Sequence, residues 1–347
     1  MLRKIMLVLA IETSCDETAA SVVRDGRRLL SSVIASQIDV HSRYGGVVPE
    51  IASRKHIEAI VPVILQALDD AHVSLDDIEG VAVTRGPGLV GSLLVGLQAA
   101  KSLAFARELP FVGVNHLEGH VASIFLHERH PDFPFVALVV SGGHTNIYLV
   151  SDFGSFKTLG QTRDDAAGEA FDKAAKLLDI GYPGGVVIDR LAKSGDVGKI
   201  PFPRSMKNSQ DFSFSGLKTS LLTYTKRRKT PIEQNEIPDI VASYQEAIVD
   251  VLVGKTLKAA ETSGTSRVVV VGGVAANSRL RSRFHDDAAK KGIEVFIPPI
   301  SLCTDNAAMI AVVGDYRLSR GERDGFDLNA LSRWPLDLRR EDETFGS

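Results

Sequence analysis

A unit of apolar strand, polar turn and returning strand occurs twice in this sequence. In the first copy, residues 5–12 (IMLVLAIE) are a continuous apolar run of strand length, the pattern of a strand buried on both faces. Thr13 to Glu17 forms the turn and Ala19 to Arg24 the returning strand. In the second copy the same order is filled by Phe135 to Val140, the turn Ser141-Gly-Gly-His144, and Thr145 to Val150. A second motif is echoed as well. Gly80 to Thr84, the loop Arg85-Gly-Pro-Gly88 and an apolar helix from Leu89 to Ala106 reappear as Arg267 to Val271, Gly272-Gly273 and a helix opening near Ala276. The echo is one of pattern rather than identity. It predicts an α/β fold of two duplicated lobes around a central cleft, where ligands sit.

The remaining segments fill in this plan. Asp25-Gly26 marks a hairpin into a strand from Arg28 to Ser36. Residues 49–71 open with Pro49-Glu50 and carry Ile51, Ile57, Ile60, Val61, Ile64, Leu65 and Leu68 at helical spacing. A strand from Pro110 to Asn115 delivers the chain to His116. Residues 155–262 read as mostly helical, with helices at Asp164–Leu178 and Ile237–Thr262. Within them, 200–220 is rich in Pro, Ser and Phe and reads as an ordered surface insertion. The expected division is an N-terminal lobe at 1–134, a C-terminal lobe at 135–336 with its helical insertion at 155–262, and a charged tail at 337–347.

Composition narrows the class of function. With 44% hydrophobic and 24% charged residues, the chain is neither disordered, collagenous nor a coiled coil. Forty Lys and Arg against 43 Asp and Glu give a net charge of −3, so no global basic field points to nucleic acid, although a local patch can. Two cysteines, Cys15 and Cys303, build no disulfide framework and suit a reducing cytoplasm. The basic and apolar start stops at Glu12 without a small-x-small cleavage site, and no run reaches the ~18 residues that span a bilayer.

His116-Leu-Glu-Gly-His120 places two histidines four apart, so on one helix face both can reach a single metal ion. The alternative is two ordinary histidines at a helix start. Glu118 lies two residues from each, about 200° round a helix, the wrong side to activate a metal-bound water as in H-E-x-x-H peptidases. A third ligand is available in Asp305, which opens a helix at Ala307 and by position alone reads as an N-cap. The turns Ser141–His144 and Ile11–Thr18 offer free N–H groups and hydroxyls that can cradle phosphate. Gly272-Gly273-Val-Ala-Ala-Asn277 suits close approach of a nucleoside, or tight strand–helix packing. Neither G-x-G-x-x-G nor a Walker lysine is present. Asp164, Asp165, Glu169 and Asp172 read as a solvated acidic face. Lys226-Arg-Arg-Lys229 beside Tyr224, and Arg279, Arg281 and Arg283, read as solvated charges or as phosphate contacts. Cys15, in a polar turn with no adjacent histidine, is weakly placed as a nucleophile.

Ile11-Glu-Thr-Ser-Cys-Asp-Glu-Thr18, Tyr44-Gly-Gly-Val-Val-Pro-Glu50, Arg85-Gly-Pro-Gly-Leu89, Asn115-His-Leu-Glu-Gly-His120, Val140-Ser-Gly-Gly-His144, Asp165-Ala-Ala-Gly-Glu-Ala-Phe-Asp172 and Phe212-Ser-Phe-Ser-Gly-Leu-Lys218 together resemble the bacterial TsaD family, in order and nearly end to end. The resemblance implies the actin-like (ASKHA) fold. It implies transfer of a threonylcarbamoyl group from threonylcarbamoyl-AMP to N6 of adenosine 37 in tRNAs that read codons beginning with adenine. By the same resemblance His116, His120 and Asp305 are the metal ligands, with Fe2+ the usual ion and Zn2+ the second candidate. Val139, Val140, Ser141, Gly142, Gly143, Asp172, Gly185, Asp189 and Asn277 are the contacts to the adenylate. Asp16 is the candidate to hydrogen-bond the attacking group, its alternative being a plain turn residue. Archaeal and eukaryotic relatives carry Tyr and Asn where this chain has Val139 and His144, which sets it on the bacterial branch. Asn329-Ala-Leu-Ser-Arg333 departs from the family's Arg-Pro-rich stretch. The implied partners are a TsaB-like paralogue, a TsaE-like ATPase, tRNA and a separate synthase for the adenylate, in the cytoplasm and with no membrane. Competing readings are an actin-like nucleotide-binding scaffold, a metallo-endopeptidase and a small-molecule kinase, the last lacking a recognisable base.

Overall fold

A computed structural model describes residues 6–228 and 230–337. The strands are β1 (Leu7–Glu12), β2 (Glu17–Arg24), β3 (Arg28–Ser36), β4 (Gly80–Gly86), β5 (Phe111–Asn115), β6 (Phe135–Val140), β7 (Thr145–Asp152), β8 (Ser155–Gln161), β9 (Arg267–Val271) and β10 (Glu294–Phe296). The helices are α1 (Ile38–His41), α2 (Pro49–Asp70), α3 (Val90–Arg107), α4 (His116–Ala122), α5 (Ala167–Leu178), α6 (Gly184–Ala192), α7 (Ser215–Arg227), α8 (Ile237–Thr262), α9 (Ser278–Ala289) and α10 (Ala307–Ser319).

The chain divides into two compact units. The first takes residues up to His130 together with the chain from Asp305 onward, and the second takes Pro131–Thr304. This corrects the expected boundary: the chain from Asp305, assigned by sequence to the second lobe, belongs to the first. The reason is burial. The α10 glycine Gly314 has no side chain, and a Cβ there would meet Ala82 on β4 and come within 3.7 Å of Val8 on β1.

In the first unit the sheet order is β3-β2-β1-β4-β5. β1 pairs antiparallel with β2, Leu9 opposite Val22, and parallel with β4, Leu9 opposite Val81. Leu9, Ile11, Val22, Val81 and Val83 pack with Ile60, Ile64 and Leu68 of α2 and Leu97 of α3. β1 is therefore covered on both faces, as its unbroken apolar run requires. The β2–β3 hairpin turns at Asp25 and Gly26, both with positive φ (56° and 63°), the twist-matching turn that Asp-Gly favours. Ile57, Val61 and Leu65, counted by sequence with the core stripe of α2, are instead 66%, 60% and 58% exposed.

The second unit repeats the topology. Its sheet, read from the far edge, is β8-β7-β6-β9-β10. β6 is antiparallel to β7 and parallel to β9, and β7 and β8 are antiparallel. The expected duplication is thus present strand for strand. Val136, Leu138, Val268 and Val270 pack against Phe171 of α5, Ile248 and Leu252 of α8 and Phe284 of α9. Residues 155–262 are not all helical, because β8 occupies Ser155–Gln161. The stretch 200–220 is not only a surface feature: Phe202, Phe212 and Phe214 are buried, and α7 begins within it. Lys229 and the tail beyond residue 337 lie outside the described residues. Among those described, no helix is long and apolar enough to cross a membrane.

Candidate functional site

The first unit assembles the predicted ligand set. β5 ends at Asn115, whose side-chain oxygen caps α4 by accepting from the N–H of Leu117 at 2.9 Å. α4 then carries His116 and His120 with their ring centroids 4.7 Å apart. Close packing places it: a Cβ on Gly119 would come within 2.8 Å of Ile310 of α10. Asn306, not Asp305, caps α10, accepting from the N–H of Met309 at 3.0 Å. The N-cap reading of Asp305 is therefore wrong, and its carboxylate is turned to the histidines. Its Oδ1 lies 3.0 Å from His120 Nε2 and 3.6 Å from His116 Nε2. One ligand atom from each of the three residues falls within 4.8 Å of the others.

Sequence reading missed what orients this cluster. His116 Nδ1 is 3.0 Å from Glu12 Oε2 and 3.1 Å from Ser14 Oγ. Glu12 also accepts from Thr84 Oγ1 and from the N–H of Ser14, both at 2.5 Å. The turn after β1, expected to cradle phosphate, thus holds the histidine by its far nitrogen, so that Nε2 faces Asp305. Burial alone would lower the His116 pKa, but Asp305 and Glu12 outweigh it and raise it to about 9. His120 Nδ1 is buried with no hydrogen-bond partner among the described residues.

Glu118 is buried on the other side of α4 and accepts from Arg317 Nη2 at 2.6 Å, while Arg317 Nη1 donates to Gly113 O at 2.8 Å. Its carboxylate is committed to α10, which removes the residue a peptidase reading needs. Asp16 is buried, and its carbonyl accepts from the N–H of Gln37. Burial, then the Asp16 and Asp305 charges, push the Cys15 thiol well up, so it stays protonated at neutral pH and is no nucleophile.

The adenylate contacts expected by resemblance all fall in the second unit, in a connected ring of helix starts and strand ends. Val139 and Val140 lie inside β6 with fully buried side chains, so only their backbone is available. Ser141 closes the turn, its N–H donating to His144 O at 2.8 Å and its carbonyl accepting from Gly168 of α5 at 3.1 Å. Gly142 and Gly143 are exposed and open. Gly272 has φ of 95°, and a Cβ there would strike the Val140 carbonyl, so only glycine lets β9 end against β6. Asp172 accepts from the N–H of Gly184, the first residue of α6, at 2.7 Å, beside the open Gly185. Asp189 accepts from Ser278 Oγ at 2.8 Å. Asn277 caps α9 through Leu280 and donates to Gln245 Oε1 at 2.7 Å.

The charge clusters resolve differently from their sequence appearance. Arg279 and Arg283 pair with Glu246, and Arg283 also with Asp250 and Asp287. Arg281 donates to Ala275 O and Pro298 O. This helix is not a free phosphate-binding face. Asp164 is no plain solvated charge: it accepts from Ser213 Oγ, Ser215 Oγ and the N–H groups of Phe214 and Ser215 at the start of α7. Asp165 and Glu169 share Lys173.

Two sheets of one topology, each with a polar turn at the end of its first strand, define the actin-like class of α/β proteins. Solved structures agree at the level of fold. The chain superposes on component A of the (R)-2-hydroxyglutaryl-CoA dehydratase of Acidaminococcus fermentans with a TM-score of 0.54 and 16% identity, covering 90% of this chain and 98% of that one. With full-length HypF, in its phosphate- and nucleotide-bound form, the TM-score is 0.61 at 14% identity, over 92% and 47%. Residues 28–312 match the TsaD family, tRNA N6-adenosine threonylcarbamoyltransferase. Proteins of that name from Syntrophus aciditrophicus and Geobacter metallireducens are 69% and 62% identical over 96% of this chain and 98% of their own. The chain belongs to the TsaD family. It is a transferase that forms N6-threonylcarbamoyladenosine in tRNA.

Proposed function

We propose that the donor is threonylcarbamoyl-AMP, that the acceptor is adenosine 37 of tRNAs reading codons beginning with adenine, and that His116, His120 and Asp305 hold a divalent iron. The observation that carries the metal reading is the convergence of three donor atoms of different residues within 4.8 Å of one another. Two imidazoles and one carboxylate, leaving open positions, suit Fe2+, with Zn2+ the second candidate. Bound there, the ion supplies Lewis-acid charge to the carbamoyl oxygen or the departing phosphate.

The remaining roles belong to the chain. The donor is a mixed carbamoyl–phosphate anhydride, so no covalent enzyme intermediate is needed. The adenine N6 forms a bond to the carbamoyl carbon, the carbon–oxygen bond to AMP breaks, and N6 gives up one proton. Orientation and charge stabilisation are then what the protein contributes. The N–H groups of Gly142 and Gly143 receive phosphate, and the open Gly185 leaves room for the nucleoside. Asp172, Asp189 and Asn277 frame that space, and Asp16 accepts a hydrogen bond from the attacking amine. Glu12 fixes the tautomer and orientation of His116.

A TsaB-like paralogue and a TsaE-like ATPase are the proposed partners, with a separate synthase supplying the adenylate, in the cytoplasm. The apolar stripe Ile57, Val61 and Leu65 along α2 supports docking of the paralogue there.

The test is a transfer assay with the protein, both partners, threonylcarbamoyl-AMP and unmodified tRNA, read by mass spectrometry of digested nucleosides. Wild type yields the modified adenosine, and His116→Ala, folded but low in bound iron, does not. Full activity in a metal-free His116→Ala protein would overturn the metal reading.

A further inference from the structure

One helix of the second unit carries unbalanced positive charge. α7 (SGLKTSLLTYTKR) contains no acidic residue, and Lys218, Lys226 and Arg227 on it are exposed with no salt bridge among the described residues. Its neighbour Arg228 is different, since Glu236 binds it bidentately and it stacks on Tyr224. The three arginines of α9 are likewise engaged by carboxylates or carbonyls of their own unit.

Beside α7 runs a groove of 590 Å³ between Ile200-Pro201-Phe202 and the helix, lined on the helix side by Gly216, Thr219, Ser220, Thr223, Tyr224 and Arg227, with the Glu236-bound Arg228 just beyond the helix end. At about 100° per residue, Gly216, Thr219, Thr223 and Arg227 share one side of the helix, and the exposed Lys226 lies angularly next to Thr219. One wall is therefore apolar, with Ile200 and Pro201 beside the buried Phe202, the other carries hydroxyls and the Tyr224 ring, and the Arg227 guanidinium, with no salt bridge among the described residues, stands at the end. Such a combination matches a ribonucleotide unit: ring and ribose carbons against the apolar wall, hydroxyls on the ribose, and the cation on the phosphate.

The helix is also tied to the donor-binding turn within the same unit. Asp164 takes four hydrogen bonds from Ser213, Phe214 and Ser215, and three residues further on α5 begins, where Gly168 donates to Ser141 O. Lys255 fixes the other side, donating to the carbonyls of Met206 and Asp211. The acidic helix and the Phe212–Lys218 motif thus hold α7 rigidly relative to Ser141.

We infer that the groove between Ile200–Phe202 and α7 holds a nucleotide of the tRNA substrate, with Arg227 on its phosphate and Lys226 on an adjacent one. The inference rests on tRNA being the substrate. It gives a chain of net charge −3 a local surface for a polyanion, where the arginines of α9 do not.

Binding of an unmodified tRNA transcript to the full-length protein, titrated at several salt concentrations, tests it. Lys226→Ala with Arg227→Ala is expected to weaken binding about tenfold and to lower the log–log salt slope by about 1 to 2, as two phosphate contacts are lost. In the transfer assay the same variant raises the KM for tRNA and leaves kcat within about twofold. Thr219→Trp fills the groove from an exposed position without touching the core. It should weaken binding comparably while leaving the salt slope in place. Unchanged tRNA affinity in both variants overturns the inference, as does a variant that loses only its protein partners. Absence of modified nucleoside with wild type would instead indict the function itself, so the two failures are distinguishable.

Discussion

Glu12, the last residue of β1, holds His116, the first of α4, by its Nδ1 at 3.0 Å. A hundred residues of chain separate them, yet the carboxylate decides which imidazole nitrogen faces Asp305. Ligand histidines held this way by a carboxylate bind metal in a fixed tautomer.

Glu12→Gln should therefore lower metal affinity about 10- to 100-fold while leaving all three ligands in place. Competition titration against a chromogenic chelator measures this, with circular dichroism confirming the fold. Affinity equal to wild type would mean that Glu12 is only structural.

Glu118 and Arg317 form a buried pair, 4% and 11% exposed at the side chain. Removing one partner strands the other charge, so Glu118→Ala should destabilise by about 3 to 5 kcal/mol. The milder Glu118→Gln, if folded, should retain transfer activity within a few fold and show that no general base was lost. Urea denaturation together with the transfer assay decides it.

Asp164 has its pKa lowered. Partial burial would raise it, but the hydrogen bonds from Ser213, Phe214 and Ser215 prevail. A folded pKa below the ordinary aspartate value of 3.8 means this stabilisation is full above pH 3.8 and is lost as pH falls through the lower folded value. Wild type should thus exceed Asp164→Asn in denaturation midpoint at pH 7, and the gap should narrow on acidification below pH 3.8. A gap constant with pH would show that the charge contributes nothing.

The stripe Ile57, Val61 and Leu65 is exposed in the chain alone. Val61→Asp with Leu65→Asp should leave the monomer's stability within about 0.5 kcal/mol per site but abolish capture of the TsaB-like paralogue by calorimetry. Undiminished binding would move the partner to another face.

Local chemistry determined much of this protein. The twofold strand–turn–strand pattern, the Asp25-Gly26 hairpin and the bounds of β3, β6, β9 and α8 follow from periodicity and turn residues, which act over a few positions. The pairing of His116 with His120 is equally local, since i and i+4 share a helix face whatever surrounds it. Tertiary structure decided the rest, because it depends on which distant surfaces meet. Asp305 faces the histidines because Asn306, and not Asp305, took the cap. Glu12 became the anchor of His116 because β1 lies beside β4 in the same sheet as β5. Arg279 and Arg283 of α9 lost their apparent role to Glu246 and Asp250 of a neighbouring helix. Ile57, Val61 and Leu65 satisfy helical spacing but lie outside the core. A charge or an apolar side chain carries no local mark of its partner, and only the packed chain supplies one.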